Sequence, residues 1–447
     1  MNTPIVDFVK EYANRETLRL HMPGHKGRSF LGCEKQDITE IEGADVLYRA
    51  KGIIKESEDN AAVLFGTGKT LYSAEGSSLA IRALLYLTKL YGNSIGKRPL
   101  IFAGRNAHKA FVTAAALLGF DVMWLLPENS ESIISCNITA NYLDSVLKNA
   151  AEKPIAVYVT SPDYLGNVLD IASLTAVCRK HGVLLLADNA HGAYLKFLPK
   201  DSHPIHLGAD ICCDSAHKTL PVLTGGAYLH ISKNAPEIFA QQAETALSLF
   251  ATTSPSYLIL QSLDMANKYL TEGYRERLAL FIKEADALKT ELKSHGYAIL
   301  GNEPLKLTIA PKSYGYTGNE LAEILSENGI FCEFSDRDFT VFMFTPEVKA
   351  CGLQRLKNAL LNIEKKKEIT SLPPIPSYGK KRLSLQEAVF APAKELSIEL
   401  CRGRISANAT VTCPPAIPIV VCGEEIDSRA IECFKYYGIT SCLVVDE

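Results

Sequence analysis

The chain has 447 residues, 47% of them hydrophobic and 22% charged, enough to bury large cores and to divide into two or three domains. Its 47 basic and 50 acidic residues leave a formal net charge of -3 without a basic stripe, which argues against nucleic acid or anionic lipid as partner and favours small molecules or proteins. The N-terminus "MNTPIVDFVKEYANRE" has no apolar h-region and no apolar run reaches the ~20 residues of a membrane span, so a soluble, cytoplasmic protein is expected.

Residues 1–60, with "HMPGHKGRSF" and "DITEIEGADVLY", read as an N-terminal arm rather than an independent domain. From 61 to 255 short apolar runs alternate with longer amphipathic ones. "TLYSA", "PLIFAG", "DVMWLL", "IAVYVTSP", "VLLLADNA", "ADICCDS" and "GGAYLHIS" are strand-like, and "SLAIRALLYLTKLYG", "HKAFVTAAALLG" and "IASLTAVCRKHG" are helix-like. Strands apolar on both faces, alternating with helices, imply an α/β unit with a mainly parallel sheet and functional groups where strands give way to loops. Residues 256–367 begin with long helical patterns and continue as a smaller α+β domain, 368–382 concentrate Pro and charge as a linker, and 383–447 form a short C-terminal domain. The 12 cysteines are dispersed, with Cys212-Cys213 the only close pair, and read as reduced core thiols.

Four stretches carry chemistry. In "SAEGSSLAIR" a strand ends and Gly76, Ser77 and Ser78 lead into a helix, where free N–H groups, the positive dipole end and two hydroxyls suit a phosphate. "GRNAHKAF" places His108 at a strand end, where an imidazole can stack on a planar ring. Asp188 in "VLLLADNAHGA" closes an apolar run, and a carboxylate buried there needs a cation, such as a protonated ring nitrogen; His191 lies in the same turn. Lys218 in "DSAHKTL" ends the next strand-like run, where a desolvated lysine can join an aldehyde and the neighbouring Ser215 and His217 can donate to an anion. Taken singly, each has an ordinary reading: a serine N-cap, a surface histidine, a capping carboxylate, a solvated lysine.

Other motifs fail on their spacing. "GTGKT" lacks the P-loop's first glycine, since that position is Val63, and Pro23-Gly24 denies His21 and His25 the helix that a zinc pair needs. No metal site is expected. A phosphate loop, a ring stacker, an acid for a pyridine nitrogen and a lysine for an aldehyde, in that order along one α/β domain, together point to pyridoxal 5'-phosphate.

The blocks "HMPGHKGRSF", "EGSSLAIRALL", "GRNAHKAF", "TSPDYLGNVLDI", "LLADNAHGAY", "DSAHKTLPVLTGGAYLH", "TTSPSYLILQSLD" and "GRISANATVTCPPAIPIVVCGEEI" resemble, in their order, the Orn/Lys/Arg decarboxylases among the fold type I pyridoxal phosphate enzymes. The resemblance implies a seven-stranded large-domain sheet, a covalent link to the cofactor through Lys218, pairing of Asp188 with the pyridinium nitrogen and stacking of His108 on the ring. It places Ser77, Ser78, Ser215 and His217 around the phosphate, and Thr253 of "TTSPSY" in the site across a homodimer interface. It implies decarboxylation of lysine, ornithine or arginine to the amine and CO2, with Lys218 or His191 returning the proton, and a short form without the N-terminal wing domain. Asn189, Gly225, Cys413 and Ala416 depart from the family's blocks. An aminotransferase or lyase on the same scaffold is the alternative, with Arg337 as its carboxylate clamp. Arg402, Arg404, Glu424 and Glu425 are named from charge alone as readers of a decarboxylase substrate.

Overall fold

The computed structural model describes residues 1–127, 135–412 and 418–446; Cys413 and Ala416 lie outside them. Seven strands, β1 (Lys69–Ser73), β2 (Leu100–Gly104), β3 (Asp121–Leu125), β4 (Ala156–Thr160), β5 (Leu184–Asp188), β6 (Ile211–Asp214) and β7 (Ala227–Ile231), form one sheet in the order β1-β7-β6-β5-β4-β2-β3. The pairs β2/β3 and β5/β6 are parallel, and β7 runs against both its neighbours, β1 and β6. Every residue of β2, β5, β6 and β7 is buried, which is why these segments read as continuous apolar runs rather than alternating ones. The architecture is the α/β fold expected from the sequence.

Two compact units divide the chain. The first comprises Met1–Arg98, Ile155–Val157 and Ile171–Glu276. It holds helices α1 (Pro4–Asn14), α2 (Ile53–Phe65) and α3 (Gly76–Ser94). In the second, Pro99–Pro154, Tyr158–Asp170 and Arg277–Glu447, lie α4 (Lys109–Leu117) and α5 (Ala140–Asn149). The first continues with α6 (Ile171–His181), the short α7 (Ala216–Thr219), α8 (Glu237–Ser248) and α9 (Tyr257–Thr271).

Helix α9, grouped by its sequence pattern with the small domain, instead packs on α1 and α2 in the first unit. Its buried Asp264 contributes to this packing. That carboxylate accepts the N–H groups of Ile5 and Val6, each at 3.0 Å, and the Ser57 hydroxyl at 2.6 Å. It thereby caps the N-terminus of α1, whose first N–H groups have no partner within the helix.

In the second unit, β8 (Ala298–Leu300), β9 (Lys306–Ala310), β10 (Phe334–Ser335) and β11 (Thr340–Met343) pair antiparallel in the order β10-β11-β9-β8. Residues 364–380 carry no regular structure, in keeping with their prolines and charge. Among the described residues no helix is long and apolar enough to cross a membrane.

Candidate active site

The turn between β1 and α3 is fixed from within. The Ser73 hydroxyl donates to the Gly76 carbonyl at 2.9 Å and accepts the Glu75 N–H at 3.1 Å. Gly76 opens the helix at φ +73°, and no atom stands within 4 Å of where its Cβ would project. Its N–H donates to the carbonyl of Gly225 at 2.7 Å. Gly225 sits at φ +99°, and a Cβ there would lie 3.0 Å from the Ala74 carbonyl, so two backbones meet at a point that a side chain would pry apart. The Ser215 hydroxyl, at the end of β6, donates to that of Ser77 at 2.8 Å and joins the lysine turn to the helix start. His217 directs Nδ1–H to the Gly226 carbonyl at 2.9 Å, which fixes its ring. Ser77, Ser78, Ser215 and the first-turn amides of a 19-residue helix make a donor set matched to a phosphate.

Asp188 ends β5 and is 2% exposed. It stands opposite Cys213 in the β5/β6 register, and its Oδ1 accepts the Ala190 N–H at 3.1 Å and the Cys213 thiol at 3.6 Å. Burial pushes the Cys212 and Cys213 thiols far above their ordinary range, with Asp188 and Asp214 adding to it, so both stay protonated and inert. Lys218 lies on the single turn of α7, its N–H bonded to the Ser215 carbonyl at 3.0 Å, and its Nζ is 2.9 Å from His191 Nε2. A primary amine and an imidazole at that distance share a proton directly.

One compact unit thus brings together Gly76, Ser77, Ser78, Asp188, His191, Ser215, His217 and Lys218. Thr253 belongs to the same unit and is exposed; the N–H of its neighbour Thr252 donates to Glu75, the N-cap residue of α3, at 2.7 Å. Thr252 and Thr253 line a cavity of about 330 Å³ with Glu40, Tyr48 and Arg49. His108 is in the second unit, where it is exposed and caps α4 through an Ala110 N–H donated to its Nδ1 at 3.2 Å. These residues fit pyridoxal phosphate: an amine for its aldehyde, a buried acid for its ring nitrogen and a helix terminus with hydroxyls for its phosphate.

Of the four residues named from charge, the two acids are held by arginines. Glu424 takes Arg105, fully buried, in a two-pronged pair at 2.6 and 2.7 Å, with Trp124 and Tyr378 over the guanidinium, and Glu425 pairs with Arg382 at 2.6 Å. Arg337 lies 4.7 Å from the ring centroid of Tyr436. What sequence reading missed is the set of buried groups behind the lysine strand, His203, Asp214 and His230. Their only sequence signal is polar residues inside or beside apolar runs.

The Orn/Lys/Arg decarboxylase major-domain model matches residues 3–305, and the C-terminal-domain model of the same group matches residues 376–441. An arginine decarboxylase of Bacillus subtilis is 31% identical over 467 residues, covering 96% of this chain and 92% of the relative, and the uncharacterized YaaO of the same organism is 28% identical over 97% and 93%. Among solved structures, lysine decarboxylase A of Pseudomonas aeruginosa superposes with a TM-score of 0.82 over 99% of this chain and 80% of its own, at 16% identity. The Francisella novicida lysine decarboxylase gives 0.81 over 99% and 81%, at 17%. The chain therefore belongs to the Orn/Lys/Arg decarboxylase family and is a pyridoxal phosphate-dependent decarboxylase of a basic amino acid.

Proposed function

We propose that this decarboxylase acts on arginine in preference to lysine or ornithine, with Lys218, His191 and Asp188 as its catalytic residues. The 2.9 Å contact between Lys218 Nζ and His191 Nε2 carries the site assignment. The choice of arginine is supported by the nearly full-length match to the Bacillus arginine decarboxylases, because the Pseudomonas lysine decarboxylase covers only 59% of this chain at 23% identity.

Bound pyridoxal phosphate supplies an aldehyde carbon and an electron sink for the charge left behind when CO2 departs. In this reading Ser77, Ser78, Ser215 and His217 hold the phosphate, and Gly76 lets the backbone approach it. Asp188, buried at the end of β5, would keep a proton on the ring nitrogen. Lys218 would hold the aldehyde through its amine, and His191, 2.9 Å from that nitrogen, could take or return a proton there. Thr253 serves the second site of a homodimer.

The test is CO2 release from arginine, lysine and ornithine by the purified chain, with and without added pyridoxal phosphate. Release fastest from arginine, with the amine in equal amount, supports the reading; equal or faster release from lysine overturns the choice of substrate. A stoichiometric keto acid would instead mark an aminotransferase.

A further inference from the structure

Behind the lysine strand the chain buries a charge that the reaction scheme leaves without a task. Asp188 and Cys213 face one side of the β5/β6 pair; Asp214, one residue further along, turns to the other, as does Asn189. On that face Asp214 Oδ1 accepts the Asn189 side-chain N–H at 2.7 Å, while Oδ2 lies 3.0 Å from His203 Nε2 and 3.3 Å from His230 Nε2. All four residues are 0% exposed.

The Ile205 N–H points at His203 Nδ1 from 3.4 Å, which puts the imidazole proton on Nε2, facing Asp214. His230 Nδ1 is 2.8 Å from the Thr70 hydroxyl on β1. Burial alone would raise the Asp214 carboxyl, but the two imidazoles outweigh it and hold it below the usual carboxylate range.

We infer that Asp214 is a positioning residue for both catalytic turns and that Asn189 is the neutral partner its charge requires. The inference rests on the reading of Lys218 and Asp188 given above. Asp214 is four residues before Lys218 and directly precedes Ser215; Asn189 directly follows Asp188 and also donates its N–H to the Cys213 carbonyl at 3.0 Å. One carboxylate thereby ties the ring-acid turn, the lysine turn and β7 to a common point. An acid at position 189 would set two carboxylates 2.7 Å apart in a dry site, so Asp214 requires a neutral donor there, which Asn189 supplies.

The three ligating atoms of His203, Asp214 and His230 all lie within 4.8 Å, a spacing that a divalent metal also takes. The hydrogen-bonded hub is the better reading, because His203 Nε2 is aligned as a donor and Asn189 occupies the other oxygen.

The experiment compares full-length Asn189→Asp, Asp214→Ala and the exchanged double variant Asn189→Asp/Asp214→Asn, each loaded with pyridoxal phosphate. Readouts are kcat and KM for the best substrate, the visible spectrum of the bound cofactor and thermal melting. Asn189→Asp and Asp214→Ala should each lower kcat about 100-fold, as misplaced catalytic groups do, with an altered cofactor spectrum. The double variant should recover at least about tenfold over Asn189→Asp, because the exchange restores one carboxylate and one amide. If a single variant does not fold, a folded and active double variant still supports the pairing.

A double variant no better than Asn189→Asp overturns the inference, as does a wild-type kcat and spectrum in Asp214→Ala. One equivalent of zinc in the purified chain, with activity lost on chelation, would make Asp214 a metal ligand instead. Full activity of Lys218→Ala would defeat the underlying site assignment, whereas failed rescue beside an inactive Lys218→Ala would defeat this inference alone.

Discussion

Lys218 Nζ stands 2.9 Å from His191 Nε2, although the two residues are 27 positions apart and rise from different strands. The imidazole is the group placed to exchange a proton with the amine. Lys218→Ala should abolish CO2 release and the visible band of covalently held cofactor. His191→Ala should keep that band while kcat falls about 100-fold or more, the usual worth of a positioned acid–base group. Absorption spectra and CO2 release measured side by side check both.

Gly225→Ala tests the phosphate loop. A methyl group there meets the Ala74 carbonyl at 3.0 Å and strains a backbone at φ +99°, pushing the Gly225 carbonyl away from the Gly76 N–H that it accepts. Pyridoxal phosphate Kd should rise about tenfold, and kcat at saturating cofactor should change far less. A fluorescence titration of the cofactor-free chain measures the first, and CO2 release the second.

The Arg105–Glu424 pair predicts stability rather than rate. Glu424→Ala leaves a guanidinium buried without its partner, which costs about 3–5 kcal/mol, whereas a double change to Met at both positions should recover most of the loss. Urea unfolding midpoints at constant m-value check this.

Glu58 gives a pH dependence with a definite sign. It is 3% exposed; burial pushes its carboxyl up to about 8, although the Tyr72 N–H donates to it at 2.9 Å. A carboxyl whose pKa is higher folded than unfolded favours the fold while protonated. That stability is fully present below the unfolded value of 4.5 and declines as pH rises towards 8. The slope is about 1.4 kcal/mol per pH unit across that window. Glu58→Gln should remove this component, so melting temperatures of the variant and the wild type should diverge between pH 5 and pH 8.

Strands such as β4, β5 and β6 were legible because each is an apolar run closed by a polar residue, and Asp188 and Lys218 were legible as polar residues at or just past such closures. Ser215 and Ser77 were named separately; their 2.8 Å bond depends on β6 and β1 flanking β7, an order that no local pattern encodes. Helix α9 reads as amphipathic wherever it packs, and it is tertiary bonds, among them those of Asp264 to Ile5 and Val6 and of Asn267 to Ser57 and Tyr72, that tie it to the first unit. Glu424 illustrates the limit of reading charge alone. The acid was visible, but a partner 319 residues away was not.

That separation bears on how the chain is made. A ribosome completes the end of β2, with Arg105 beside it, long before it reaches Glu424, so until then the guanidinium must stay hydrated or be desolvated at a cost. The strand end that leads to His108 should therefore gain its full stability only once Glu424 is in place. A chain that lacked Glu424 should pack this corner only at the cost of burying the Arg105 guanidinium without its partner.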